Sequence, residues 1–438
     1  MYNRPLIYYL FFMIIGLVAF LIYPISNILS IVFVFSIVIP FFFTLDYKKF
    51  FFVNICFIIL GMICINLYFN ISPCNGQSFR VMDKKMGVYT ASFRGRKIYL
   101  CGSTGGLKEG MKICAEGNYI KNIDYEKGII GKFFVENYNV KEKDMIYKMN
   151  IFKSKIYEKY KKILGKDKSS LIMALCCGDS KYLSYNTKKD YARLGIVHIL
   201  CVSGFHISIV YKMLEKIFKE RIGALATFIY VVFTGLKASA IRAYIMIVVC
   251  KFSKKLYEKY DALSALALAA IILLFIRPYY ILDVGFNLSF LATLGILLYS
   301  KKISRYLYKL PEFLNESISI SLSAQIFTLP YIAFTMNDVS TSFLLGNIFL
   351  IPIYSIAIVL GNLGIIFICF KKLFSGIGYL LYSVLTAIEG GNKILLALSP
   401  PIIKFNPCYA VGLLAFYLHF ILLKNYVKQK DILEIVNN

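Results

Sequence analysis

Three long uncharged runs open the chain: LIYYLFFMIIGLVAFLIY (6–23), ILSIVFVFSIVIPFFFTL (28–45) and FFFVNICFIILGMICINLYF (50–69). Each reaches the roughly 18–20 residues that an α-helix needs to cross about 30 Å of hydrocarbon. The pattern then breaks. Residues 71–140 carry short β-type runs, among them KMGVYTASF, RKIYLCG and KGIIGKFFVENYNV, with hairpin punctuation at Arg94-Gly95 and Gly105-Gly106. Four or five strands in that length predict a small OB-like barrel. Residues 141–166 space apolar positions helically among lysines, which predicts an amphipathic helix lying on the membrane surface. From 167 to 438 apolar runs return near 193–211, 222–236, 239–250, 262–276, 282–299, 316–333, 343–370, 374–398 and 408–424. The expected architecture is a polytopic α-helical membrane protein of about twelve spans. It divides into a three-span segment (1–70), a β-barrel domain (71–140), the surface helix (141–166) and a membrane domain (167–438).

Composition agrees: 58% of the 438 residues are hydrophobic, above the 45–50% usual for soluble domains. The first run is too long for a signal peptide, so an uncleaved first span is expected. Charge orients the spans. The net charge is +26, and cytoplasmic loops collect Lys and Arg. With both termini cytoplasmic, Lys48, Lys49, Lys212, Lys216, Lys219, Arg221, Lys251, Lys254, Lys301, Lys302, Lys371, Lys372 and Lys428 fall inside, whereas the opposite short loops hold Lys237, Arg277 and Lys404. This places the barrel outside a bacterial cytoplasmic membrane. Among eleven cysteines, Cys74, Cys101 and Cys114 lie in that outer domain and permit one disulfide in three pairings. No CxxC, His-rich or Walker A pattern occurs, so no metal, cofactor or nucleotide is expected.

The outer domain interleaves cations with aromatics. Arg80, Arg94, Arg96 and Lys97 beside Phe93 and Tyr99 are the residue types of a single-strand nucleic-acid platform, where bases stack and phosphates pair. The competing reading is that the cations solubilise the domain and the aromatics fill its core.

Inside the apolar runs, polar groups stand out. GIVHILCVSGFHISIV (195–210) holds His198, Ser203, Gly204 and His206. The histidines, eight apart on a helix, are about 12 Å from each other, too far for joint chelation. Ser203 and His206 are i, i+3 and could touch. Further along lie Arg242, Asp283, Asn287, Ser289, Gln325 and Asn347. Ionisable groups in spans face protein or a pathway, because lipid exposure costs roughly 2.5–3.5 kcal/mol. Asp283 and Asn287, at i, i+4, would share a helix side, and Arg242 would be a natural partner for Asp283.

The ordered series HILCVSGFH, SAIRAYIM, ALALAA, DVGFNLSFLAT, AQIFTLPYIAF and NIFLIP resembles the ComEC family of competence proteins, which pass single-stranded DNA through the inner membrane. The resemblance covers residues 167–438 and extends to the preceding spans and barrel. It implies that the polar residues above line a channel and that the chain is not an enzyme. It also implies as partners single-stranded DNA, the lipid bilayer, an outer ComEA-like DNA receptor and a cytosolic helicase-like ATPase. Many family members carry a C-terminal metallo-β-lactamase-like domain; its His/Asp motif is not found here, so no nuclease is expected. The sequence does not choose between monomer and homodimer. Two other functions compete with DNA import: an intramembrane serine hydrolase using Ser203 and His206, and a small-solute or lipid transporter.

Overall fold

A computed structural model of the chain describes residues 4–44, 48–85, 87–141 and 144–404, with 409 and 412. Three helices come first: α1 (Pro5–Ile22), α2 (Asn27–Thr44) and α3 (Lys48–Phe69). Pro5 suits the first turn of α1, where its missing N–H is not needed. Gly16 and Gly61 let α1 and α3 touch. A Cβ on Gly16 would lie 2.1 Å from the Ile58 carbonyl oxygen, and one on Gly61 would lie 2.5 Å from that of Met13. Small residues at such crossings are how membrane helices approach closely.

Five strands follow: β1 (Gln77–Lys85), β2 (Val88–Phe93), β3 (Arg96–Gly102), β4 (Lys112–Ile120) and β5 (Ile129–Val140). They close into a barrel in the order β1-β2-β3-β5-β4, antiparallel throughout except for β3 beside β5. A small closed barrel of five strands is what the sequence led to expect here. Period-2 alternation sends Tyr89, Ala91 and Phe93 of β2 and Ile98 and Leu100 of β3 inward, against Phe79 and Phe133. Phe93 therefore belongs to the core, and of the two readings of the barrel's aromatics the core-filling one holds for this ring. Cys74, Cys101 and Cys114 are free thiols. Cys101 sits on β3 and Cys114 on β4, which β5 separates, so these two cannot be bridged across neighbouring strands.

The remaining elements are α4 (Met145–Leu164), α5 (Lys166–Cys177), α6 (Tyr185–Arg193), a 3-10 turn (Val197–Ile199), α7 (Gly204–Phe233), α8 (Ala238–Lys255), α9 (Ala262–Ile276), a 3-10 turn (Pro278–Leu282) and α10 (Val284–Tyr306). Then come α11 (Glu312–Thr335), β6 (Asp338–Val339), α12 (Phe343–Ile366), α13 (Lys371–Leu398) and β7 (Ile403–Lys404), with β6 pairing β7.

Among the described residues six helices (α1, α3, α10, α11, α12 and α13) are long and apolar enough to cross a membrane, with α2 and α9 as shorter apolar helices. The expected span 408–424 lies outside the described residues. The expected span 193–211 is not one continuous helix: the end of α6, a 3-10 turn and an extended Ser203 precede α7, which takes up its second half. In α7, Lys219 has φ 62 and ψ 174, and a Cβ on Gly223 would meet the Glu215 Cα at 2.8 Å. In a straight helix those residues stand about 12 Å apart, so α7 is a hairpin of two helical arms turning at Lys219. The helix expected over 141–166 is α4. One side of α4 packs on protein, where the Tyr160 hydroxyl donates to the Gly361 carbonyl and the Lys159 ammonium to that of Ile368, both at 2.8 Å.

The chain forms two compact units. One comprises the described residues of Met1–Tyr182, Val202–Phe290 and Ile358–Tyr382; the other, those of Leu183–Cys201, Leu291–Ala357 and Ser383–Asn438. In the first, the barrel is docked on helix ends rather than tethered. Arg96 donates to the Leu67 and Tyr68 carbonyls at the end of α3, both at 2.8 Å, and the Tyr68 hydroxyl donates to Gly128 at 3.0 Å. Lys181 bridges Glu109 at 2.7 Å and Asp179 at 3.0 Å. Burial alone would lower the Lys181 pKa, but these two carboxylates outweigh it and raise it above the usual lysine range.

Candidate functional site

The polar centre of the first unit is built where α7, α8 and α10 begin. Ser203, with φ −107 and ψ 176, is the N-cap of α7. Three residues on, the His206 ring turns back: its Nδ1 accepts the Ser203 backbone N–H at 3.3 Å and lies 3.0 Å from the Ser203 Oγ. A ring nitrogen that accepts a backbone N–H carries no proton, so the neutral imidazole holds its proton on Nε2. His206 is fully buried. The Ser-His contact is thus a helix cap, in which the imidazole takes the part that Glu or Gln plays in a capping box.

Gly204 opens α7 because α8 presses on it: a Cβ there would lie 2.8 Å from the Arg242 Nη2. Arg242 is 8% exposed. Its Nε donates to the Ser289 hydroxyl of α10 at 3.0 Å, its guanidinium sits 5.8 Å from the Phe290 ring, and Ser239, one turn earlier, donates to the Val202 carbonyl at 2.8 Å. Ser203, Gly204, His206, Arg242 and Ser289 therefore stand together.

Asp283 does not join Arg242 as expected. α10 starts after it, and its Oδ1 accepts the Phe286 N–H at 2.7 Å, while Asn287 donates to the Ile281 carbonyl at 2.9 Å. Both side chains hold the entry to α10, where the Asn287 N–H also donates to the Asp283 carbonyl at 3.0 Å.

In the second unit His198 lies exposed on its 3-10 turn. The Thr328 hydroxyl donates to the Gln325 Oε1 at 3.1 Å, and Asn347 donates to the Ser321 hydroxyl at 3.1 Å.

On the barrel, Arg80 ion-pairs with Asp144, and Lys97 donates to the Lys127 carbonyl at 3.2 Å while lying 4.7 Å from the Tyr279 ring. Arg94 is exposed at the β2–β3 turn and Tyr99 is half-buried on β3. Arg80 and Arg94 line one hollow of about 250 Å³ with Ser78, Ser92 and Lys112. Arg96 is committed to the α3 carbonyls, and Lys97 lies over Tyr279. The six expected barrel residues therefore do not form one surface.

A family model described as Competence protein matches residues 175–430, more than half of the chain. The chain belongs to the Competence (ComEC) family. It is 26% identical to ComE operon protein 3 of Bacillus subtilis over 277 residues, 60% of this chain and 35% of that protein. It is 27% identical to an uncharacterized protein of Aquifex aeolicus over 191 residues, 42% of this chain and 43% of that protein. To Recombination protein 2 of Haemophilus influenzae it is 24% identical over 232 residues, 47% of this chain and 29% of that protein. The chain thus spans less than half the length of these relatives. No solved structure matches.

The Competence-family match takes in the whole polar centre of the first unit and leaves the barrel outside it. It also contains a buried cluster in the second unit that sequence reasoning missed. Tyr191 of α6 and Tyr354 of α12 share a hydroxyl–hydroxyl contact, and Asn392 of α13 donates to both, at 3.4 and 3.2 Å. The available signal was a tyrosine and an asparagine within otherwise apolar runs, a pattern that ordinary core residues also give.

Proposed function

We propose that this Competence-family chain conducts single-stranded DNA across the bacterial cytoplasmic membrane during natural transformation. The observation that carries this reading is the family match, because it covers the helices on which the buried polar centre stands. Arg242 and His206 are buried in an apolar unit, with Arg242 donating to the Ser289 hydroxyl; several moderate polar groups suit a moving strand better than one deep well. The barrel faces the outside, receives the strand from a DNA receptor, and a cytosolic ATPase supplies the drive, since the chain carries no nucleotide-binding loop. Transport, not hydrolysis, is the function. The Ser203–His206 contact is accounted for as a cap whose Nδ1 already accepts a backbone N–H.

Deleting the protein tests the reading. Transformation is expected to be lost while DNA still binds the cell surface; unchanged transformation would overturn it.

A further inference from the structure

The hollow on the barrel is built by register. Arg80 of β1 pairs across the sheet with Ser92 of β2 on one side and with Lys112 of β4 on the other. Cross-strand partners point to the same face, so guanidinium, hydroxyl and ammonium stand in a row on the outside of the barrel. Ser78, two residues before Arg80, adds a second hydroxyl, and Arg94 at the β2–β3 turn adds a third cation. Phe79 points the other way, into the core. The hollow is about 250 Å³, smaller than the roughly 300–1,000 Å³ of sites that enclose a drug-sized ligand. Its lining is three cations, two hydroxyls, Gly95 and Phe79, and the Phe79 ring is buried in the core rather than offered to a base.

Among the described residues, one acid reaches it. Asp144, at the N-terminus of α4, ion-pairs with Arg80 through Oδ2, while its Oδ1 accepts the Tyr147 N–H at 3.2 Å. A carboxylate offers a guanidinium the same paired oxygens that a phosphate does. Asp144 thus stands in for an external oxyanion and is also the cap of α4.

We propose that the hollow between β4, β1 and β2 seats a phosphodiester of the single strand, and that Asp144 holds Arg80 until the strand displaces it. This rests on the DNA-conduction reading and deepens it. The seat takes the backbone and ignores the base, so binding is indifferent to sequence. Displacement leaves the Asp144 Oδ1 on the Tyr147 N–H, so α4 keeps its cap while Arg80 turns to the strand.

The test uses the full chain in nanodiscs of neutral lipid, titrated with labelled oligo-dT and oligo-dA. Asp144→Asn removes the competing charge yet keeps a good capping residue, and it is expected to tighten binding roughly two- to tenfold. Arg94→Gln with Lys112→Gln is expected to weaken it roughly tenfold and to flatten the salt dependence by about 0.7 in log–log slope per lost phosphate contact. Equal affinity for the two oligonucleotides supports the seat. Wild-type binding that neither variant changes would overturn the seat and leave the conduction reading standing, since that is decided separately by the deletion strain. No binding by the wild-type chain would also overturn it. So would the same ranking of variants on phosphatidylglycerol vesicles without any effect on oligonucleotides, which would assign the hollow to a lipid headgroup.

Discussion

Arg242 of α8 gives its Nε–H to the Ser289 hydroxyl of α10 at 3.0 Å. This contact, not an ion pair with Asp283, joins the two helices at the polar centre. Ser289→Ala removes the acceptor and is expected to cost about 1–3 kcal/mol, the usual price of a lost partner for a buried charged donor. Thermal unfolding in detergent would read it as a lower midpoint, and an unchanged midpoint would mean that the contact does not hold the helices together.

Gly204 is where α7 meets that guanidinium. Gly204→Ala places a methyl 2.8 Å from the Arg242 Nη2, and overpacking of this kind costs about 1–3 kcal/mol. Arg242→Ala in the same chain relieves the clash. The double variant is therefore expected to be more stable than the sum of the two single changes implies, and strict additivity would separate the two sites.

Ser203→Ala distinguishes a cap from a nucleophile. Loss of an N-cap side chain costs about 0.5–2 kcal/mol, so stability should fall modestly while DNA uptake per folded molecule holds. Labelling of Ser203 by a serine-directed probe, together with complete loss of function in Ser203→Ala, would restore the hydrolase.

The barrel strut has a pH signature. Lys181 has its folded-state pKa raised by Glu109 and Asp179. Its contribution is therefore complete below the ordinary lysine value of about 10.4 and fades as pH rises through the higher folded value. At 39% exposure, solvent screening limits it to roughly 0–1 kcal/mol. Lys181→Met should destabilise by a constant small amount from about pH 7 to 10, with the gap closing only above that range. A gap that closes below pH 9 would contradict the assignment.

Much of this was legible in the chain. The barrel was, because period-2 alternation and turn glycines are local signals. Which aromatic faces out depends on where each strand begins. Phe93 falls on the inward parity of β2, whereas Phe134 on β5 is exposed. Arg80 and Arg94 announced themselves by charge. Lys112 joins them only through β1–β4 pairing, which no local pattern encodes. The apolar run 195–210 hid the break at Ser203, because hydrophobicity runs straight through a residue whose extended backbone is set by its role as a cap. The i, i+4 relation of Asp283 and Asn287 is present in the backbone, where the Asn287 N–H donates to the Asp283 carbonyl at 3.0 Å, but the turn of each side chain to nearby backbone is not written in that spacing.

On the proposed reading, the strand passes through the first unit at Arg242. A deletion strain re-supplied with either the wild-type chain or Arg242→Gln, at equal membrane levels, tests it most directly when given labelled DNA. Surface-bound and internalised label are counted separately. Equal surface binding with internalisation restored by the wild type and lost with Arg242→Gln is the expected result; full internalisation with Arg242→Gln would contradict it.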